Sequence, residues 1–177
     1  VYNATNRPMQ ALADFDRVIQ LDSTNSLTYF NRAILRTQIG DYNRALEDYD
    51  RVALYSPNNV LVYYNRAGVH AQLGEIEEAV KDYSSAIELY PDFANAYIYR
   101  GRLRELLQDP KGARSDRETA QRKIAEYRSR LSDSTYSIFA DTTQRFDRLL
   151  SFDSKFAGSS FDRITGHNGG HEEMRLL

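Results

Sequence analysis

Read from residue 29, the chain runs YFNRAILRTQIGDYNRALEDYDRV; from residue 63 it runs YYNRAGVHAQLGEIEEAVKDYSSA. Tyr29 returns as Tyr63, Asn31 as Asn65, Arg32 as Arg66, Ala33 as Ala67 and Gly40 as Gly74. Ala45, Asp48, Tyr49 and Pro57 return as Ala79, Asp82, Tyr83 and Pro91, every step being 34 residues. A fixed period of that length means that copies of one supersecondary unit build the fold, and every other reading must fit inside it. The period extends both ways. Downstream, Tyr63, Arg66, Ala79, Asp82 and Ala86 recur as Tyr97, Arg100, Ala113, Asp116 and Ala120, while DFDRV at Asp14 anticipates DYDRV at Asp48.

Each unit divides into two helical patterns. Tyr29, Arg32, Ala33 and Arg36 fall at i, i+3, i+4 and i+7, one face of a helix over 27–39. Gly40-Asp41 breaks it, as a glycine beyond a helix end does. Ala45, Tyr49 and Val52 share a face over 42–54, and Pro57 stops continuation. A single helical hairpin cannot cover its own apolar surface, so the units must stack. The expected fold is all-α: antiparallel helix hairpins stacked into a right-handed solenoid.

Composition agrees. With 41% hydrophobic and 27% charged residues, the 177-residue chain is a folded, helix-rich type and not a disordered one. A net charge of −2 argues against nucleic-acid binding by bulk charge. No apolar run approaches the roughly 18 residues of a membrane helix. The absence of cysteine excludes disulfides, thiolate catalysis and cysteine–zinc sites. Val1 is not an initiator methionine and no signal peptide is visible, so the sequence reads as a piece of a longer protein and leaves its location open. Asn3-Ala4-Thr5 matches a glycosylation sequon, a short and weak signal.

Tyr, Gly-Asp, Ala, Tyr and Pro at these offsets resemble the tetratricopeptide repeat, whose small eighth residue is matched by Ala33, Ala67 and Gly101. The resemblance covers residues 8 to about 125. It divides a repeat domain, 1–131, into a partial repeat (8–25), two good repeats (26–59 and 60–93) and a degenerate one (94–131). In the last, Gln108-Asp109-Pro110 replaces the Gly-Asp turn, Arg117 replaces the aromatic, and no proline stops the second helix, which is expected to run to about Leu131. Ile138, Phe139, Thr142, Phe146, Leu149 and Leu150 suggest a capping helix over 132–151, and 152–177 reads as an irregular tail or the start of a next domain.

Arg32, Arg66 and Arg100 stand where the family often has leucine, and Asp14, Asp48, Asp82 and Asp116 recur on the second helices. A bulky cation on an inward face persists only if paired, so these predict a ladder of Arg–Asp pairs that fixes helix register, within a repeat or across to its neighbour.

The resemblance implies a concave groove lined by the first helices. Its candidate contacts are Leu27, Phe30, Asn31, Ile34, Thr37 and Gln38; Leu61, Tyr64, Asn65, Gly68, Ala71 and Gln72; and Asn95, Ile98, Tyr99, Arg102, Glu105 and Leu106. Asn31 and Asn65 matter most, because an amide offers donor and acceptor together and pairs with any peptide backbone. The basic clamp that some relatives use for a terminal carboxylate is absent: its positions hold Leu27, Leu61, Asn95, Asn31, Asn65 and Tyr99. The groove therefore suits an extended, partly apolar peptide. Other candidate occupants are the chain's own C-terminal tail, where Phe152, Phe156 and Phe161 stand among polar residues, or a second copy.

Residues 100–130 hold ten basic and five acidic side chains, leaving −7 for the remainder, a pattern expected of a solvated, salt-laced helix. Arginine outnumbers lysine 19 to 4, which favours fixed bidentate pairing. Catalytic constellations are missing. His70 is expected to be structural; Gly169-Gly170 separates His167 from His171; and HEEMR lacks the second histidine of HExxH, Arg175 standing in its place. No phosphate-cradling glycine loop, metal site or cofactor site is expected. The function expected is non-catalytic: a scaffold for another polypeptide, or, alternatively, a structural and self-associating segment without a peptide ligand.

Overall fold

The computed structural model describes residues 3–132, with side chains described from Arg7 to Arg130. It holds α1 (Asn3–Leu21), α2 (Ser26–Gln38), α3 (Tyr42–Tyr55), α4 (Val60–Leu73), α5 (Ile76–Leu89), α6 (Ala94–Leu106) and α7 (Pro110–Ser132). Among the described residues there is no strand. The described residues up to Tyr127 belong to one compact unit. The capping helix and tail expected over 132–177 lie outside the described residues, save Ser132, the last residue of α7.

Local chemistry sets the helix ends. The Asn25 side chain accepts the Thr28 backbone N–H at 3.0 Å and starts α2, and Asn59 does the same for Leu61 N–H at 3.1 Å and α4. Within each hairpin the chain reverses through one left-handed residue. Gly40 has φ +82° and Gly74 φ +78°. The next residue's N–H closes back five positions, Asp41 on Arg36 O at 2.8 Å and Glu75 on His70 O at 2.9 Å. The third hairpin makes the same turn without glycine: Gln108 takes φ +58°, and Asp109 N–H reaches Arg104 O at 2.8 Å. Pro110, which has no N–H to leave unsatisfied, opens α7. Between repeats, the Tyr63 and Tyr97 hydroxyls donate to the carbonyls of Pro57 (2.9 Å) and Pro91 (3.3 Å) and hold those turns.

Consecutive helices pack on one another, α1 on α2 and onward through α5 on α6, so most contacts are between neighbours in the chain, as in a repeat stack. Closest approach falls at small residues. Ala33, Ala45, Ala67 and Ala79 have no exposed surface. Gly101 lets α6 lie on α7 so tightly that an added Cβ would stand 3.2 Å from Asp116 Cβ and 3.3 Å from Ala113 O. Beside these points larger groups fill the space. Phe30, Tyr49, Val52, Val62 and Val69 form one core. Tyr64, Tyr83, Phe93 and Tyr99 form an aromatic cluster with centroids 4.6–6.1 Å apart. Burying one such ring contributes about 1.5–3 kcal/mol.

Candidate interaction surface

Two faces of the first helices α2, α4 and α6 bear on function: one carries the arginines, the other the expected peptide contacts. The arginine face is fully engaged. Arg32 forks onto Asp48 through Nε (2.9 Å to Oδ2) and Nη2 (2.6 Å to Oδ1). Arg66 does so onto Asp82, at 2.7 Å twice, and Arg100 onto Asp116 at 2.9 and 2.7 Å. Each is the bidentate geometry that a planar guanidinium offers a carboxylate. The remaining Nη1 of each arginine points back to the preceding repeat: Arg32 to Asp16, Arg66 to Asp50 (2.7 Å) and Arg100 to Ser84 Oγ (3.0 Å). The ladder thus runs both within and across repeats. Tyr29, Tyr63 and Tyr97 lie beneath the three guanidinium groups, 5.4–5.6 Å from them.

A second cation completes two of the rungs. Arg36 and Arg104 each donate Nη1 to the same carboxylate, Asp48 or Asp116, at 2.8 Å. His70 holds that position in the middle repeat. Its Nε2 lies 3.8 Å from Asp82 Oδ2, while its Nδ1 meets Glu75 Oε2 at 2.6 Å, the structural use expected of it. The hydrogen bonds to Asp82 raise the Arg66 guanidinium above its ordinary pKa despite desolvation pulling the other way, and Asp48 does the same for Arg32. No buried side-chain nitrogen or oxygen among the described residues lacks a partner. The buried groups of the rungs therefore all have partners, and Arg32, Asp48 and Asp50, in the wall of the hollow of about 440 Å³ beside the first rung, are each already paired.

Asp14, the fourth aspartate of the expected ladder, is not a rung. Its side chain is 71% exposed and meets Arg17 of its own helix at 3.4 Å. Conversely, Asp16, Asp50 and Ser84 belong to the ladder, and so do Arg36 and Arg104. The signal for each was present in the sequence, since 16, 50 and 84, like 36, 70 and 104, are 34 apart.

The expected groove residues divide by burial. Phe30 and Tyr64 lie in the core, edge-on to Tyr49 and Tyr83, and offer a guest almost no surface. An aromatic facing the second helix's tyrosine gains more from ring contact than from solvent. Ala71 is buried too. Leu27, Asn31, Gln38, Arg102, Glu105 and Leu106 are exposed, whereas Ile34, Thr37, Leu61, Asn65, Gly68, Gln72, Asn95, Ile98 and Tyr99 are half-buried. The structure brings Tyr99 to 6.1 Å from Tyr64, and a Cβ at Gly68 would lie 3.9 Å from the Tyr83 hydroxyl. Arg102 stacks on the Tyr99 ring at 5.7 Å.

The basic stretch is laced as expected where its contacts are described: Arg114 with Glu118, Arg117 with Glu105, and Lys123 with Asp92 and Glu126. Among the described residues no group of three metal-ligating side chains gathers, and no helix is long and apolar enough to cross a membrane. His167, His171 and the HEEMR stretch lie outside the described residues.

The Tetratricopeptide repeat family model matches residues 60–93, the second good repeat. No curated protein matches the chain. Among solved structures, the crystal structure of MamA is similar over 69% of this chain and 71% of its own, at 21% identity and a TM-score of 0.67. MamA 41-end from Desulfovibrio magneticus RS-1 is similar over 69% of each chain, at 17% identity and a TM-score of 0.64. The second TPR of Spaghetti (RPAP3), bound to the HSP90 peptide SRMEEVD, is 30% identical over 56% of this chain and 93% of its own, with a TM-score of 0.53. With its hairpins, its 34-residue period and these likenesses together, the chain belongs to the tetratricopeptide repeat family.

Proposed function

We propose that the chain is a non-catalytic scaffold that holds an extended, partly apolar polypeptide along its first helices. The observation that carries this is the contrast between the two faces of those helices. The arginine face is spent on the ladder, while Asn31 and Asn65 recur at one repeat position outside it, the first exposed and the second half-buried. Both amides stand beside apolar residues, Leu27 and Ile34 around one and Leu61 around the other. An amide repeated at one period suits a repeating peptide backbone, and the apolar neighbours suit alternate side chains. The RPAP3 repeat domain, which binds an HSP90 peptide, supports the general mode. The ligand here differs in kind, because positions 27, 31, 61, 65, 95 and 99 carry no lysine or arginine for a terminal carboxylate.

The test is an array of internal, partly apolar peptides, with SRMEEVD as the acidic C-terminal comparison, probed by the chain and by the Asn31→Ala/Asn65→Ala variant. Selective binding that the double variant loses by about tenfold or more is expected. Undiminished binding by a folded variant refutes the groove assignment.

A second reading rests on exposed apolar residues that also recur every 34 positions: Leu21, Tyr55 and Leu89, and separately Ile39, Leu73 and Leu107, exposed by 36–89%. These suit a self-associating segment. Sedimentation that stays monomeric to millimolar concentration rejects it.

A further inference from the structure

The three rungs differ at one atom of their aspartates. In the first, Asp48 Oδ2 accepts from Arg32 Nε at 2.9 Å and again from Arg36 Nη1 at 2.8 Å. In the third, Asp116 Oδ2 accepts from Arg100 Nε at 2.9 Å and from Arg104 Nη1 at 2.8 Å. In the middle rung Asp82 Oδ2 receives Arg66 Nε at 2.7 Å, but the nitrogen in the place of the second cation, His70 Nε2, stops at 3.8 Å. That is too far for a hydrogen bond. Yet the Asp82 side chain is only 6% exposed, so it has as much use for a second donor as the other two.

The other side of the ring explains the gap. His70 Nδ1 lies 2.6 Å from Glu75 Oε2. An ionised carboxylate only accepts, so Nδ1 carries the hydrogen. A neutral imidazole has one N–H, which leaves Nε2 as a lone pair facing the carboxylate of Asp82. Two acceptors repel, and the ring stands off. A proton added at Nε2 turns that acceptor into a donor and the ring into a cation between two carboxylates. It then does for Asp82 what Arg36 and Arg104 do permanently for Asp48 and Asp116. The other ion pairs on α4 and on the helices packed against it leave these three groups to one another. Arg66 holds Asp82 and Asp50 of α3, Arg36 of α2 holds Asp48, and on α5 Lys81 meets Glu78 at 3.5 Å.

We infer that the middle rung is a proton-operated clamp: α4 and α5 are held together more firmly when His70 is an imidazolium bridging Glu75 and Asp82 than when it is neutral. The sign follows from where the bridge exists. Only the folded chain brings both carboxylates to the ring, so the contribution is present at the acid end and is lost as pH rises across the range in which histidine changes charge, about pH 5 to 8. The two outer rungs use arginine, which keeps its charge throughout that range, so the response is confined to the middle repeat. The clamp is separate from the proposed peptide surface and stands or falls without it.

The test uses the whole chain. Thermal denaturation of the wild type and of His70→Gln, whose amide takes up no proton, is compared at about pH 8 and pH 5.5, so that the other titrating groups cancel in the difference. On acidification the wild type is expected to gain about 3 °C or more in Tm over the variant. The gain should shrink in a Glu75→Gln background, where an amide no longer dictates which ring nitrogen holds the hydrogen; Glu75 is 49% exposed, so that change keeps the fold. Proton–nitrogen correlation spectra of the ring read the tautomer directly, the His70 signals being those that His70→Gln lacks. They should show Nδ1–H alone at the higher pH and both nitrogens protonated at the lower. A Tm difference that is the same at both pH values, or that moves the other way, overturns the inference. So does a gain undiminished by Glu75→Gln. An Nε2–H tautomer at the higher pH overturns it as well, because Asp82 would then already face its second donor.

Discussion

The middle rung offers a direct measure of what the ladder contributes. Arg66 is 19% exposed and Asp82 6% by side chain, so solvent screens the pair little. Replacing Arg66 by leucine removes both bonds at 2.7 Å to Asp82 and leaves that carboxylate buried, with only His70 Nε2 at 3.8 Å. Stripping one partner from a buried ion pair costs about 3–5 kcal/mol. The third bond, to Asp50, adds little, because Asp50 is 66% exposed and such pairs contribute about 0–1 kcal/mol. For a unit of this size the loss lowers Tm by roughly 10–20 °C. Replacing Asp82 as well, in Arg66→Leu/Asp82→Leu, removes the orphaned charge, and an apolar pair of similar volume is nearly neutral in other buried sites. The double variant should therefore recover much of the loss, with a coupling of about 2–4 kcal/mol. Urea denaturation of the four proteins of the cycle, at constant m, measures it. A coupling below about 0.5 kcal/mol would refute the view that this pair acts as a buried unit.

Four further outcomes follow from single positions. His70→Arg restores the second cation that Arg36 and Arg104 provide in the other rungs, and thermal denaturation should register a gain of about 0.5–1.5 kcal/mol; a loss would mean that the Glu75 contact outweighs it. Gln108→Gly relieves a left-handed residue at φ +58° and should stabilise by about 0.5–1 kcal/mol in chemical denaturation, the opposite sign to Gly74→Ala. Gly101→Leu forces a side chain where a Cβ alone already stands 3.2 Å from Asp116 Cβ, and should cost about 1–3 kcal/mol in the same assay. The Arg66 guanidinium is held above its ordinary pKa, so its contribution is complete below the unfolded value and fades only as pH rises through the folded one, far above neutrality. Between about pH 7 and 10 its charge state therefore adds no slope, and a difference curve of the wild type against Arg66→Leu that is steep there would contradict the assignment.

The period carried most of the fold. Thirty-four residues, one tight turn within each hairpin and one small residue per copy dictate two helices of nearly four turns that must stack, because each hairpin alone leaves its apolar face in water. Arg–Asp pairing was legible for the same reason: a repeated cation on a repeated inward face needs a repeated anion. The sequence by itself could not say which aspartates those are. Asp14 and Asp48 head the same five-residue motif, yet one is exposed and the other buried, because only Asp48 has a first helix lying over it. Asp16 and Asp50, by contrast, enter the ladder through the stacking of one repeat on the next, a relation that no single repeat contains. Phe30 and Tyr64 share a repeat position assigned to the peptide surface, and tertiary packing instead turned both against the tyrosine of the second helix. Periodicity states which residues are equivalent. Burial depends on what each copy has beside it, and that is settled only when the helices are in place.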